Sequence, residues 1–296
     1  MKFRFSALLS LVLLASCEKD IKIKVNDQTP KLVVDASIET GMPPIVVLSN
    51  SIDYFNKITP EQLAASFVHG AKIDVSNGTL THRLKEYSFT DTSGYSLYYY
   101  AVDSTNPATA FTGEENHSYT MQVTTQNGDS YSTTTTIPLL TKTIDSLWWQ
   151  QAPQNDDPKR TVLFGRFTDP KGYGNYIRYF TKVNDGRFLP GLTSVFDDQV
   201  VDGATYDFQI DRGFDKNGDK NFSSDDYGFF HHGDTATVKF CNIDKATYDF
   251  WRTWEFNFQS LGNPFSSPVT VLGNVPGALG AFSGYSVQYK TIIIPK

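Results

Sequence analysis

The chain has 296 residues, of which 40% are hydrophobic and 14% aromatic, and its formal net charge is −6. This length is typical of about two domains, and the apolar content is sufficient for two cores. The acidic excess and the lack of a basic cluster in the sequence exclude nucleic acid as a partner, because phosphate binding needs clustered Lys and Arg.

Residues 1–16 have the pattern of a secretory signal peptide. Basic residues precede an apolar run over residues 5–15, which is shorter than the ~20 residues that span a bilayer. The run ends in Leu14-Ala15-Ser16-Cys17, which resembles the lipobox of bacterial lipoproteins. In that motif the thiol of Cys17 is linked to diacylglycerol and Cys17 becomes the first mature residue, so that several acyl chains hold the protein stably at a membrane. The alternative is an ordinary signal peptide with a chance cysteine.

Residues 17–30 are polar, lack periodicity and are predicted to form a lipid-anchored tether. Glu18-Lys19-Asp20 resembles the surface-export signal of Bacteroidetes lipoproteins. We therefore expect an outer-membrane protein that faces the cell exterior. Without residues 1–16, which contain two basic and no acidic residues, the mature chain has 24 basic and 32 acidic residues and a charge of −8.

Residues 31–138 show short strands separated by turns. Runs rich in Val and Ile cover Leu32–Ile38 and Pro44–Ser49, and alternating segments flank the turns Asn77-Gly78 and Asn127-Gly128, which predict two hairpins. Strands at this spacing are typical of an immunoglobulin or fibronectin-like β-sandwich.

Two local features add to this block. Thr59 before Pro60, with Gln62 three residues on, predicts a short capped helix that ends by Gly70. Gly113 followed by Tyr119 suggests a tyrosine corner, a feature of immunoglobulin-like sandwiches.

Pro138 ends the last strand of this block, so we place a domain boundary near Leu139. Residues 139–296 predict a second antiparallel β domain carrying one amphipathic helix. The helix is capped by Asp244, covers about residues 245–260, and has an aromatic face that we expect to pack on a sheet: Phe250, Trp251, Trp254, Phe258 and Leu261. The final run, Tyr285–Ile294, predicts a central strand. The predicted fold class is thus mainly β, with two domains.

Cys241 is the only cysteine besides Cys17. If Cys17 is lipidated, no disulfide partner remains within the chain. The alternating segment around Cys241 predicts a buried small hydrophobe rather than a nucleophile.

The sharpest chemical signal is the segment from Asp215 to Asp226. With Asp215 as position 1, oxygen-bearing side chains occupy positions 1, 3, 5, 9 and 12 of an EF-hand or dockerin-type calcium loop. The candidate calcium ligands are Asp215, Asn217, Asp219, Asn221, Ser223 and Asp226. Lys220 occupies the position at which a calcium loop normally has Gly. The alternative interpretation of the segment is a polar loop rich in turn residues. Such an ion would be structural.

Enzyme motifs do not occur in the sequence. It contains no Gly-x-Ser-x-Gly elbow, no His-Glu-x-x-His helix and no phosphate-binding glycine loop. We therefore expect a protein without catalytic residues.

The chain resembles a family of Bacteroidetes surface lipoproteins catalogued as domain of unknown function 4249. The residues that carry the resemblance are Lys31–Val34, Phe167–Pro170 with Asn175-Tyr176, Ile243–Arg252 and Gly277–Ser286. The resemblance covers essentially the whole mature chain. It implies a surface-exposed, all-β lipoprotein, often encoded near outer-membrane TonB-dependent transporters, and implies no activity.

Three functions remain open. The first is a non-enzymatic lipoprotein that acts as a binding or accessory component alongside a TonB-dependent transporter. The second is a surface adhesion or matrix-binding lipoprotein, and the third is a hydrolase with an unrecognised site.

Overall fold

The computed structural model describes residues 29–52, 59–91, 94–153, 157–216, 227–261, 263, 266–267 and 269–296. The chain divides into two compact units, residues 1–30 and residues 31–296. The described part of the second unit is mainly β, which confirms the predicted class. Neither α-helix found there has the length and apolar character needed to cross a membrane.

The described residues form fifteen strands, two α-helices and one 3₁₀ turn at Pro107–Thr109. The strands are β1 (Leu32–Glu39), β2 (Ile45–Asn50), β3 (Lys72–Ser76), β4 (Thr81–Thr90), β5 (Ser96–Val102), β6 (His117–Thr124), β7 (Ser130–Ile137), β8 (Thr143–Gln151), β9 (Arg160–Thr168), β10 (Tyr176–Val183), β11 (Leu189–Phe196), β12 (Thr205–Ile210), β13 (Phe230–His231), β14 (Thr235–Ile243) and β15 (Leu279–Ile293). The helices are α1 (Pro60–Ser66) and α2 (Lys245–Ser260).

Eleven strands form one large sheet in the order β11-β10-β14-β15-β1-β2-β5-β4-β3-β6-β7. A smaller sheet is built around β9, which pairs with β8, β12 and β13. Strand β15 lies between β14 and β1, so the prediction of a central C-terminal strand is confirmed. Among the paired strands of the described residues, only β1 and β15 run parallel.

The β1–β15 pair joins strands from the two sides of Leu139 into the same sheet. Gly280 on β15 permits the close approach, because a Cβ at that position would overlap the carbonyl oxygen of Val34 on β1. Residues 31–296 form one compact unit. The two-domain, immunoglobulin-like arrangement is therefore not confirmed, although the strand pairs described within residues 139–296 are all antiparallel.

The first core lies among β1–β7. On β1 the alternate residues Leu32, Val34, Ala36 and Ile38 are buried there, so the remaining residues of the strand face the other side of the sheet. Both predicted hairpins are present, as β3–β4 and β6–β7. The β3–β4 turn is formed by Gly78 and Thr79 rather than by the predicted Asn77 and Gly78. The reason is that the amide of Asn77 donates to the carbonyl of Leu80, so these two residues still pair with each other across the hairpin.

The C-terminal strands of the large sheet are covered on both faces. The small sheet packs on one face of β10 and β14 through an apolar cluster that includes Leu163, Phe167 and Tyr179. Helix α2 packs on the other face, over Cys241 and Tyr285. Cys241 is fully buried, as predicted, and burial raises the pKa of its thiol to about 12.

Both predicted helices are confirmed, with their caps. Thr59 and Gln62 form a capping box at α1, which ends at Ser66, earlier than the expected limit at Gly70. Asp244 caps α2 by accepting from the amide of Thr247 at 2.8 Å. The aromatic face of α2 packs on the sheet through Trp251, but the prediction was wrong for Leu261, which is 57% exposed because it follows the last turn.

Candidate functional site

A groove of about 580 Å³ lies on the face of the large sheet that is opposite the first core. Asp35 and Glu39 of β1 reach its floor because the alternate residues of that strand are buried in the core. Arg178 of β10 and Tyr285 of β15 share the floor, and α2 supplies one wall through Trp251 and Trp254. The groove thus combines charged residues with aromatic rings.

Arg178 is held rigidly on this floor although it is only 3% exposed. Its Nε donates to the hydroxyl of Ser194 at 3.2 Å and its Nη1 donates to the hydroxyl of Tyr285 at 3.0 Å. The guanidinium also lies 3.4 Å from the ring centroid of Trp251 and 4.6 Å from that of Phe180. Such stacking and fork geometry fix the plane of the guanidinium.

Trp251 and Tyr285 lock this arrangement from the other side. The indole Nε1 of Trp251 donates to the same Tyr285 hydroxyl at 3.0 Å, so that the hydroxyl accepts from both the indole and Arg178. Burial raises the pKa of Tyr285, which keeps the phenol neutral. These two aromatic residues lie in the two C-terminal motifs that carry the family resemblance.

Asp35 has no such protein partner. Within the described residues, its carboxylate makes no hydrogen bond and no ion pair within 4.0 Å, although its side chain is accessible to water from the groove. The surrounding walls raise the pKa of Asp35 by burial, and the positive charge of Arg178 partly opposes this shift. Asp35 is therefore an exposed carboxylate within the groove, with acceptor positions open to water or to a ligand.

The other charges of the groove are paired within the protein. Lys239 lies 2.5 Å from Glu39, and Lys216 lies 3.3 Å from Glu255. Burial lowers the pKa of Lys216, and Glu255 opposes that shift. The lining contains three acidic residues, Asp35, Glu39 and Asp215, and three basic residues, Arg178, Lys216 and Lys239. The lining is therefore balanced in charge.

Most of the predicted calcium loop lies outside the described residues, which include none of the candidate ligands from Asn217 to Asp226. Asp215 is described, and its carboxylate accepts from Nη2 of Arg187 at 2.5 Å. Calcium binding by this loop therefore stays a prediction. Cys17 also lies outside the described residues, and its lipidation stays a prediction for the same reason.

A different acidic cluster brings together Asp169, Asp198 and Asp202, with carboxylate oxygens within 4.8 Å of one another. Asp198 accepts from the amide of Asn175 at 2.9 Å, and Asp202 accepts from the amide of Gly172 at 2.6 Å. These bonds connect the loop after β9 to the loop after β11, which gives the motif residues Asp169 and Asn175 a structural role.

Asp169 of this cluster already has a countercharge. The ammonium of Lys142 lies 2.6 Å from its carboxylate, and both side chains are buried. Burial alone raises the pKa of Asp198, but hydrogen bonds from Asn175 and Gly174 outweigh it and hold that pKa below its usual value. The cluster is therefore a set of internal contacts between loops.

Asp35 and Arg178 were not among the site residues predicted from the sequence. A signal for each was present, because Asp35 interrupts the apolar run of β1 and Arg178 interrupts the aromatic run Tyr176–Val183. Neither signal could show that the two strands expose them on the same face, since β1 and β10 are separated by β14 and β15 in the sheet.

The fold and the groove define a mainly β protein with a charged and aromatic concave surface. The family model of the domain of unknown function (DUF4249) matches residues 18–291, and the chain belongs to this family. No curated protein matches the chain.

Proposed function

We propose that the chain is a non-enzymatic binding lipoprotein of the outer membrane, anchored through Cys17, and that the groove over Asp35 and Arg178 is its ligand site. The observation that carries the proposal is the Asp35 carboxylate, which faces the groove without a protein donor. Water reaches this carboxylate in the free protein, and a ligand that donates to it inside the groove replaces that water with a charge-assisted hydrogen bond.

The ligand is polar and has no large net charge. It donates a hydrogen bond to Asp35 and accepts one from Arg178, whose Nη2 makes no hydrogen bond among the described residues. The three acidic and three basic residues of the lining leave no excess charge for a strongly ionic ligand. Trp254 and Phe214 offer apolar contact along the walls. Zwitterionic peptides and neutral sugars fit these requirements.

At the cell surface, such a protein serves as a binding or accessory component alongside a TonB-dependent transporter. The lipobox-like Cys17, the Glu18–Asp20 segment and the tether to Pro30 support this location. For the fold we further propose an immunoglobulin-like N-terminal sandwich, supported by the hydroxyl of Tyr119, which accepts from the amide of Glu114 at 2.7 Å as in a tyrosine corner.

The groove is tested by tryptophan fluorescence, since Trp251 and Trp254 line it. The mature chain is titrated with dipeptides and with neutral oligosaccharides. We expect a saturable change in the wild type that Asp35→Asn abolishes while the fold is kept, and that Asp207→Asn leaves intact. Asp207 is a matched control because it belongs to an exposed pair with Arg166 on the small sheet. Equal responses of both variants would refute the assignment.

The location and partner are tested in native membranes. We expect Cys17→Ala to release the protein from the membrane fraction, and the wild type in mild detergent to co-purify with a large β-barrel protein. Recovery without such a partner, together with lost surface attachment on deletion, would support the adhesion hypothesis instead. Hydrolysis of a panel substrate that Asp35→Asn abolishes would support the hydrolase hypothesis.

A further inference from the structure

A second cavity, separate from the groove, lies between the two sheets. It has a volume of about 340 Å³ and is enclosed by β10, β11 and β14 of the large sheet and by β9 and β12 of the small sheet. Aromatic and aliphatic side chains provide nearly the whole lining, among them Phe167, Tyr179, Phe196, Tyr206 and Phe208. Alternation along β10 places Tyr179 in this cavity and its neighbour Arg178 in the groove on the other face.

The size of the cavity sets it apart from ordinary packing voids. Protein interiors are packed as densely as organic crystals and contain few voids larger than a water molecule. A space of 340 Å³ falls within the range of small-molecule sites, roughly 300–1,000 Å³. Its walls are formed by rings on paired strands, such as Tyr179 and Phe208, so the backbone hydrogen bonds of two sheets hold it open.

The cavity opens to solvent at the loop after β11. Val200 in this loop lines the cavity and is 94% exposed, which places it at the mouth. Asp197 of the same loop is the one charged residue of the lining, and it accepts from the hydroxyl of Tyr248 at 2.9 Å. The polar end of the cavity is thus formed by Asp197 and Tyr248.

From these observations we infer that the cavity between the sheets binds a small uncharged molecule with an aromatic or aliphatic body and a hydrogen-bond donor at one end. The apolar body lies among the rings, where its transfer from water is favourable. The donor meets the lone pairs of Asp197 that remain beside its bonds from the amide of Gln199 and the hydroxyl of Tyr248. An anionic ligand is disfavoured, because its charge would lie beside that carboxylate in a poorly hydrated site. This site goes beyond the proposed function of the groove.

N-phenyl-1-naphthylamine is a suitable probe, because it is uncharged, aromatic and carries one N–H donor. Its sulfonated analogue, 8-anilinonaphthalene-1-sulfonate, differs by a negative charge. We expect saturable fluorescence enhancement of the uncharged probe by the wild-type mature chain, with affinity about tenfold or more above that for the sulfonate. Asp197→Asn should reduce this difference.

Filling the cavity provides the second arm of the experiment. Val201→Phe adds a ring to the lining and should weaken binding of the uncharged probe by about tenfold or more, since pocket contacts discriminate at the level of single methylene groups. Val201→Ile adds less volume, should weaken binding to a smaller degree, and covers the case in which the Phe variant does not fold. Val269→Phe is the matched control, because Val269 is 39% exposed and does not line the cavity.

The outcomes separate this site from the groove. Equal affinity for the two probes, or unchanged binding in both Val201 variants, would overturn the inference and indicate adsorption to an exposed patch. Asp35→Asn alters the groove alone and should leave probe affinity unchanged. Failure of the groove assignment therefore leaves this test intact, and the reverse also holds.

Discussion

Replacing Lys142 by Met should lower the free energy of unfolding by about 4 kcal/mol, within the ~3–5 kcal/mol range for removing one partner of a buried ion pair. The ammonium of Lys142 lies 2.6 Å from the carboxylate of Asp169, and the two side chains are 1% and 0% exposed. The contact lacks the alignment of a hydrogen bond, so its contribution to the free energy of unfolding is electrostatic attraction between the two charges. The loss falls in the middle of the range or above, because Asp198 and Asp202 place two more carboxylates within 4.8 Å.

Urea unfolding followed by circular dichroism measures this change. Lys142→Met combined with Asp169→Asn should recover most of the lost stability, because the double variant buries no unpaired charge. Lys85→Met is the control, since its 3.9 Å pair with Asp103 involves a side chain that is 50% exposed and should change stability by less than about 1 kcal/mol. A Lys142→Met variant as stable as the control, or a double variant no better than the single one, would refute the reasoning.

Three further outcomes are expected. Asp244→Ala should lower stability by about 1–2 kcal/mol in urea unfolding, because it removes both the cap of α2 and the acceptor for the amide of Thr136; a neutral result would show that water replaces the carboxylate. Asp35 has a raised pKa, so its charge destabilises the folded state above that pKa and has no effect below the usual value of 3.8. Asp35→Asn should therefore raise the melting temperature at pH 7 but not at pH 3, and a variant that is less stable at pH 7 would contradict this sign. For the predicted calcium loop, a chelator should lower the melting temperature of the wild type and leave Asp219→Ala unchanged; identical transitions would favour the polar-turn interpretation.

Local signals in the sequence predicted much of the secondary structure. Thr59 with Gln62 and Asp244 before Lys245 marked the starts of the two helices, because a cap is satisfied by atoms within three residues. The turns near Gly78 and Gly128 marked two hairpins, since each is decided by a few residues between pairing strands.

The groove depended on contacts that no local pattern encodes. Asp35 and Tyr285 are separated by most of the chain, and they share a floor because β1 pairs in parallel with β15. The alternation along β1 turns Asp35 away from the core, but nothing in the sequence states what covers that face. Helix α2 provides that cover through Trp251, and a pattern of apolar residues cannot state which sheet a helix packs against.

By itself, therefore, the sequence determined the mainly β class, the capped helices, the hairpins, the family, and the predicted anchor at Cys17. Each depends on neighbouring residues or on a contiguous motif. Only the tertiary structure decided that the two halves of the chain share one sheet, that Arg178 is clamped by Trp251 and Tyr285, and that a cavity separates the two sheets. Those features result from strand order and layer packing, which join residues far apart in the chain and are set by the free energy of the whole fold.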